Sequence, residues 1–109
     1  MEATALTELG DQLLARAREE HSGRAATTVH GGREHSLRQT LIALTAGSEL
    51  AEHESPGEAT LHVLRGEVRL NAESGGGNGI TGDLLVIPRE RHALHADEDS
   101  VVLLTVVKP

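Results

Sequence analysis

The chain contains no cysteine, phenylalanine, tryptophan or tyrosine, and only one methionine and one lysine, Lys108. Without thiols it has neither disulfides nor thiolate metal sites. Without rings it lacks the usual stacking platforms for bases, sugars and flavins. Its core must be built from Leu, Val, Ile and Ala, which bury less area apiece than aromatic side chains. At 109 residues that core belongs to a single domain. A homodimer is expected, because a second copy would bury apolar surface that a small aliphatic core cannot. No apolar run reaches the length of about 20 residues that a membrane-spanning helix needs. The first residues lack the apolar block of a secretory signal. With no cysteine to oxidise, a cytoplasmic location is expected. The formal charge of −7 argues against a phosphate-backbone partner, so neither nucleic acid nor membrane is an expected partner. Arg16, Arg18 and Arg24 are interleaved with Asp11, Glu19 and Glu20, the mark of a solvated helix face.

What is present divides into one helical segment followed by extended ones. From about Thr4 to His21, Leu6, Leu9, Leu13, Leu14 and Ala17 recur at helical spacing. Gly10 weakens this helix by about 1 kcal/mol relative to Ala, and Ser22-Gly23 is a plausible stop. Seven segments then read as strands: 25–30, 37–44, 59–64, 67–71, 84–88, 92–96 and 101–107. Turn-formers separate them, including Gly31-Gly32, Ala46-Gly47-Ser48, Ser55-Pro56-Gly57 and Arg65-Gly66. The glycine-rich run from Ser74 to Gly82 reads as a flexible hairpin connection. It lacks the Lys-Ser/Thr and the helix of a phosphate loop. Many short strands at close spacing indicate a sandwich or closed barrel.

Two stretches carry a sharper signal: Gly47-x5-His53-x-Ser55 with Gly66, and Gly82-x5-Pro88-x3-His92. Together they resemble the paired motifs of the cupin family, G-x5-H-x-H-x3–4-E-x6-G and G-x5-P-x-G-x2-H-x3-N, over residues 41 to 107. The resemblance implies an all-β, cupin-type double-stranded β-helix (a jelly-roll barrel) over residues 24–109. One N-terminal helix, residues 1–23, would pack on the barrel or on a dimer partner. In such barrels three His and one Glu enclose a divalent metal, so the resemblance makes His53 and His92 the candidate metal ligands. Ser55 stands in place of the second His and Ala59 in place of the Glu. His92 follows Pro88 one residue early, and Glu90 occupies a position where glycine is usual.

His62 leaves two readings open. If Ala59, Leu61 and Val63 face inward, then Glu58, Thr60 and His62 face outward, and His62 is an exposed or interface residue. In the other register Glu58 and His62 enter the cavity as substitute ligands. His21, His30, His35 and His95 are expected to be solvated. Two functions follow. One is a dimeric domain that binds a small ligand or a divalent transition metal (Fe, Mn, Ni, Cu or Zn) at a depleted site, with no organic cofactor. The alternative is a metal-dependent cupin enzyme, a dioxygenase, isomerase or decarboxylase of a small polar substrate. In the enzyme Glu58 or His62 would be the candidate base. A Ser55–His92–Asp triad is excluded by the missing G-x-S-x-G elbow.

Overall fold

Period-two burial decides which way each strand faces. The computed structural model describes residues 1–53 and 57–108, His53 through its backbone alone. Its elements are α1 (Leu6–Glu19), β1 (Arg24–His30), β2 (Leu37–Leu44), β3 (Glu49–His53), β4 (Glu58–Arg65), β5 (Glu67–Ala72), β6 (Gly75–Ile80), β7 (Leu84–Ile87), β8 (His92–Ala96) and β9 (Ser100–Val107). They form a five-stranded sheet in the order β1-β2-β9-β4-β7 and a four-stranded sheet in the order β3-β8-β5-β6. The pairings are antiparallel. In β4, Ala59, Leu61 and Val63 are buried and alternate with more exposed neighbours. Between the sheets they meet Val68 and Leu70 of β5, Leu94 and Ala96 of β8, and Ile42 and Leu44 of β2. The fold is therefore mostly β, two antiparallel sheets closed over one aliphatic core, with a single helix outside.

The helix explains why β2 is buried on both faces over residues 41–44. Ile42 and Leu44 point into the barrel, while Leu41 and Ala43 point out, under Leu13, Leu14 and Ala17 of α1. Gly10, which lowers helix propensity, is buried at this contact: a Cβ there would lie 3.0 Å from Val101 Cγ1. Its small size lets the helix axis come close to the sheet, and the packing of the leucine face offsets the propensity loss.

Two strands are absent from the sequence expectation. β3 carries one large aliphatic side chain, Leu50, too few to show alternation. β6 corrects the reading of residues 74–82 as a flexible connection, because Gly75–Ile80 pairs residue by residue with β5. Side chains crossing the core set the requirement there. A Cβ on Gly79 would lie 3.0 Å from Val63 and 3.1 Å from Leu85, and one on Gly76 would run into the Leu70 carbonyl oxygen. Glycine in a strand marks such close approaches.

A carboxylate ties the helix end to the barrel. Asp99 accepts the Ala46 backbone N–H at 2.8 Å and the Arg18 guanidinium at 2.9 Å. These two hydrogen bonds, the backbone one first, hold its carboxyl below the usual range. The folded pKa is thus lower than the unfolded one. The contribution is complete above the unfolded value of about 3.9 and is lost as pH falls through that value toward the folded one. Asp99→Asn is expected to flatten the acid limb of the stability curve below about pH 4. Urea midpoints across the acid range check this; an unchanged limb would contradict it.

Candidate functional site

The site suggested by the motifs lies at one end of the barrel, where β3 ends and β8 begins. Here the backbone of His53 is the register partner of His92, His92 that of Ala72, and Ala72 that of Gly75. One row of the smaller sheet therefore reads 53, 92, 72, 75. The larger sheet supplies a second row at the same end: Arg38 opposite Val106, Val106 opposite Ala59 and Ala59 opposite Ile87. Residues 88–91 join Ile87 of one row to His92 of the other.

His92 is 5% exposed and is one of two buried polar residues, with Ser100, among those described. Its ring Nδ1 lies 2.9 Å from the Glu90 carbonyl oxygen. A carbonyl only accepts, so Nδ1 carries a proton and donates. Glu90, where the family has glycine, has a second role. Its carboxylate accepts the Ser74 hydroxyl at 2.6 Å and the Ser74 backbone N–H at 2.7 Å. These bonds, with a smaller contribution from nearby His92, lower its pKa. The side chain thus ties the loop before β8 to the β5–β6 turn, while the backbone orients His92.

The position at which the motif resemblance calls for a carboxylate is an alanine. Ala59 is 4% exposed and belongs to the barrel core. Alternation is unbroken from Glu58 to Val63, so Glu58 and His62 lie on the outer face of the larger sheet. His62 is half-buried between its register partners Leu84 and Leu103. The alternative register that would bring Glu58 and His62 in as ligands is not adopted, because it would turn Ala59, Leu61 and Val63 out of the core. Ser55 lies outside the described residues. Of the other histidines, His95 departs from the expectation of a free solvated ring: its Nδ1 is 3.1 Å from a Glu49 carboxylate oxygen. The rings of His30 and His35 lie tilted by 52° with centroids 4.9 Å apart.

Arg38 was not singled out from the sequence. Counting back from Ile42 by twos places it on the inward face of β2, in the row that holds Ala59. Its Nη2 donates to the Gly32 carbonyl at 3.3 Å, and its buried Nε has no hydrogen-bond partner. A guanidinium therefore shares the row of Ala59, where the motif resemblance calls for a carboxylate. Among the described residues, no group of three or more His, Asp or Glu is placed to hold a metal ion. Among the described residues the four-ligand set is not completed: Ala59 stands at the acid position, Arg38 shares its row, and His62 lies on the outer face. A cleft of about 250 Å³ lies between β6 and β7, with Leu70, Gly76, Gly77, Leu85 and Pro88 among its lining residues.

No family model matches the chain, and no curated protein matches it in sequence. Solved structures do. The chain is similar over 99% of its length to a conserved protein of unknown function from Streptococcus pyogenes, at 28% identity, 88% coverage of that chain and a TM-score of 0.76. It is similar to an RmlC-like cupin protein from Desulfovibrio desulfuricans, at 24% identity over 98% of this chain and 96% of the other, TM-score 0.74. It also resembles salicylate 1,2-dioxygenase from Pseudaminobacter salicylatoxidans, at 19% identity over 92% of this chain but only 33% of that enzyme, TM-score 0.76. Two antiparallel sheets closed around one core, with the motif glycines at the strand connections, define a jelly-roll barrel. The chain has the cupin fold. Among the described residues, no helix is long and apolar enough to cross a membrane.

Proposed function

We propose that this chain is a small-ligand-binding cupin domain with a depleted metal site, acting as a homodimer in the cytoplasm. The observation that carries the reading is Ala59, buried in the core where a metal centre needs a carboxylate. Its removal, with His62 outside, leaves two imidazoles of the four family ligands. A divalent transition metal (Fe, Mn, Ni, Cu or Zn) held by His53 and His92 would complete its shell with water and exchange readily. The cleft between β6 and β7, walled by Leu70 and Leu85, suits a small molecule with an apolar part. No organic cofactor is called for.

One observation favours the alternative of a metal-dependent enzyme. His92 donates its Nδ1–H to a backbone carbonyl, the arrangement that orients ligating imidazoles elsewhere. Elemental analysis of untagged protein separates the two. The depleted-site reading expects well under one equivalent of metal after gel filtration. It also expects Zn²⁺ or Ni²⁺ to stabilise the protein only at concentrations above a weak Kd, by about 1.4 kcal/mol at ten times that Kd. One retained equivalent, lost in His53→Ala or His92→Ala, would establish the enzyme reading instead.

A further inference from the structure

Among the described residues, four of the five large exposed aliphatic side chains of the barrel lie on one surface; the fifth, Ile80, ends β6 in the other sheet. Leu84 and Val86 are 62% and 75% exposed, and Val107 and Leu37 are 44% and 42% exposed. Alternation puts all four on the outer face of the five-stranded sheet, beside the part that α1 covers. Register arranges this face in rows: Leu84, His62 and Leu103; then Val86, Thr60, Thr105 and Gln39; then Glu58, Val107 and Leu37. No Lys or Arg occupies any of these positions, and Glu58 is the one acid. In a chain that is 25% charged with a formal charge of −7, this face is the place where a like-charged copy can approach.

The pattern is self-complementary. Consider a two-fold axis in the interface plane, perpendicular to β4 and passing over Thr60. It lays β4 antiparallel on its copy, so Glu58 of each chain stands over His62 of the other, and an imidazole N–H can donate to a carboxylate. The same operation sets Val86 over Val86 and Leu103 over Val107. Sheets stack face to face at about 10 Å with strands offset by about 30°, which keeps these neighbours together. Closed two-fold pairing of one patch on itself is the common form of a homodimer.

We infer that the outer face of β7, β4 and β9 is the homodimer interface, with Thr60 at its centre; this rests on the homodimer reading above. Four strands at about 4.8 Å spacing and five residues at about 3.4 Å rise make a patch of roughly 330 Å² in projection. Patches of that size are commonly functional. The size is at the small end for protein interfaces, so the dimer dissociates on dilution.

Sedimentation of the full chain gives the first measurement. The wild type is expected to pass from dimer to monomer in the micromolar range, and Thr60→Arg, which sets two guanidinium groups together, to weaken association at least tenfold. The absence of native cysteine supplies the second. Thr60→Cys is expected to be joined into dimers by a short bismaleimide, and Asn71→Cys, on the other sheet, is not. This measurement stands even if Thr60→Arg fails to fold. A wild type that stays monomeric at about 100 µM, far above micromolar association, overturns the homodimer itself. A wild-type dimer whose Thr60→Cys cross-links no better than Asn71→Cys overturns only the placement of the interface.

Discussion

Gly66→Ala is expected to cost about 3–5 kcal/mol, combining a left-handed backbone penalty with overpacking. Gly66 is the single residue between β4 and β5, where the chain leaves one sheet for the other, and its φ is +94°. An added Cβ would run into Ser100 Oγ and the Asp99 carbonyl oxygen and would lie 2.8 Å from Ser100 Cα. Two of those three atoms are backbone, which cannot swing aside. Ser100 is fully buried and its hydroxyl accepts the Glu67 N–H at 3.1 Å, so displacing it also breaks the first bond of β5. Gly47 and Gly82 share the positive φ, at +88° and +94°, but an added Cβ there meets nothing within 4 Å. Their alanine variants are expected to lose only the backbone term, about 1–2 kcal/mol. Urea unfolding of the three variants checks the order. Equal losses at all three would mean that the turn, not its nesting on Ser100, sets the requirement.

Ala59→Glu is expected to have the second large effect, and it tests the depleted site directly. Without metal the variant places a carboxylate at a core position beside Val106 and Ile87, two strands from Arg38. Burial of a charge without an adequate partner costs several kcal/mol, so the metal-free variant is expected to be destabilised by about 3 kcal/mol or more. Added Zn²⁺ or Ni²⁺ is expected to recover stability in this variant well beyond its effect on the wild type, by about 2.7 kcal/mol at a hundred times Kd. The recovery should vanish when His92→Ala is added, since the regained carboxylate then has one imidazole fewer to work with. Thermal unfolding by circular dichroism with and without metal gives all four values. Equal metal stabilisation of wild type and Ala59→Glu would remove Ala59 from the list of lost ligands.

The barrel was legible where side chains alternate and illegible where they do not. β4 declares itself through Ala59, Leu61 and Val63, and β8 through His92, Leu94 and Ala96. β6 could not, because Gly75, Gly76, Gly77 and Gly79 have no side chains to show a period, and their strand state comes from pairing with β5. For the site, spacing singled out His92, which is buried where β8 begins. It left His62 between two registers, and it passed over Arg38 and the loop-anchoring role of Glu90. Those two needed to be seen against residues far away in the chain, Ala59 and Ser74.

The sequence by itself determined which segments alternate, because period-two alternation is a local property of consecutive residues, but it left the inward face of β4 open. It also determined which connections need glycine, and the absence of thiols and rings that limits the chemistry. Only the tertiary structure decided which faces meet. It set position 53 opposite His92 across a gap of 39 residues, Arg38 in the row of Ala59, and Gly10 against Val101. It also decided which part of the larger sheet α1 covers and which part it leaves bare. Pairing between distant strands depends on closing the whole barrel around one core, and no short window of sequence contains that condition.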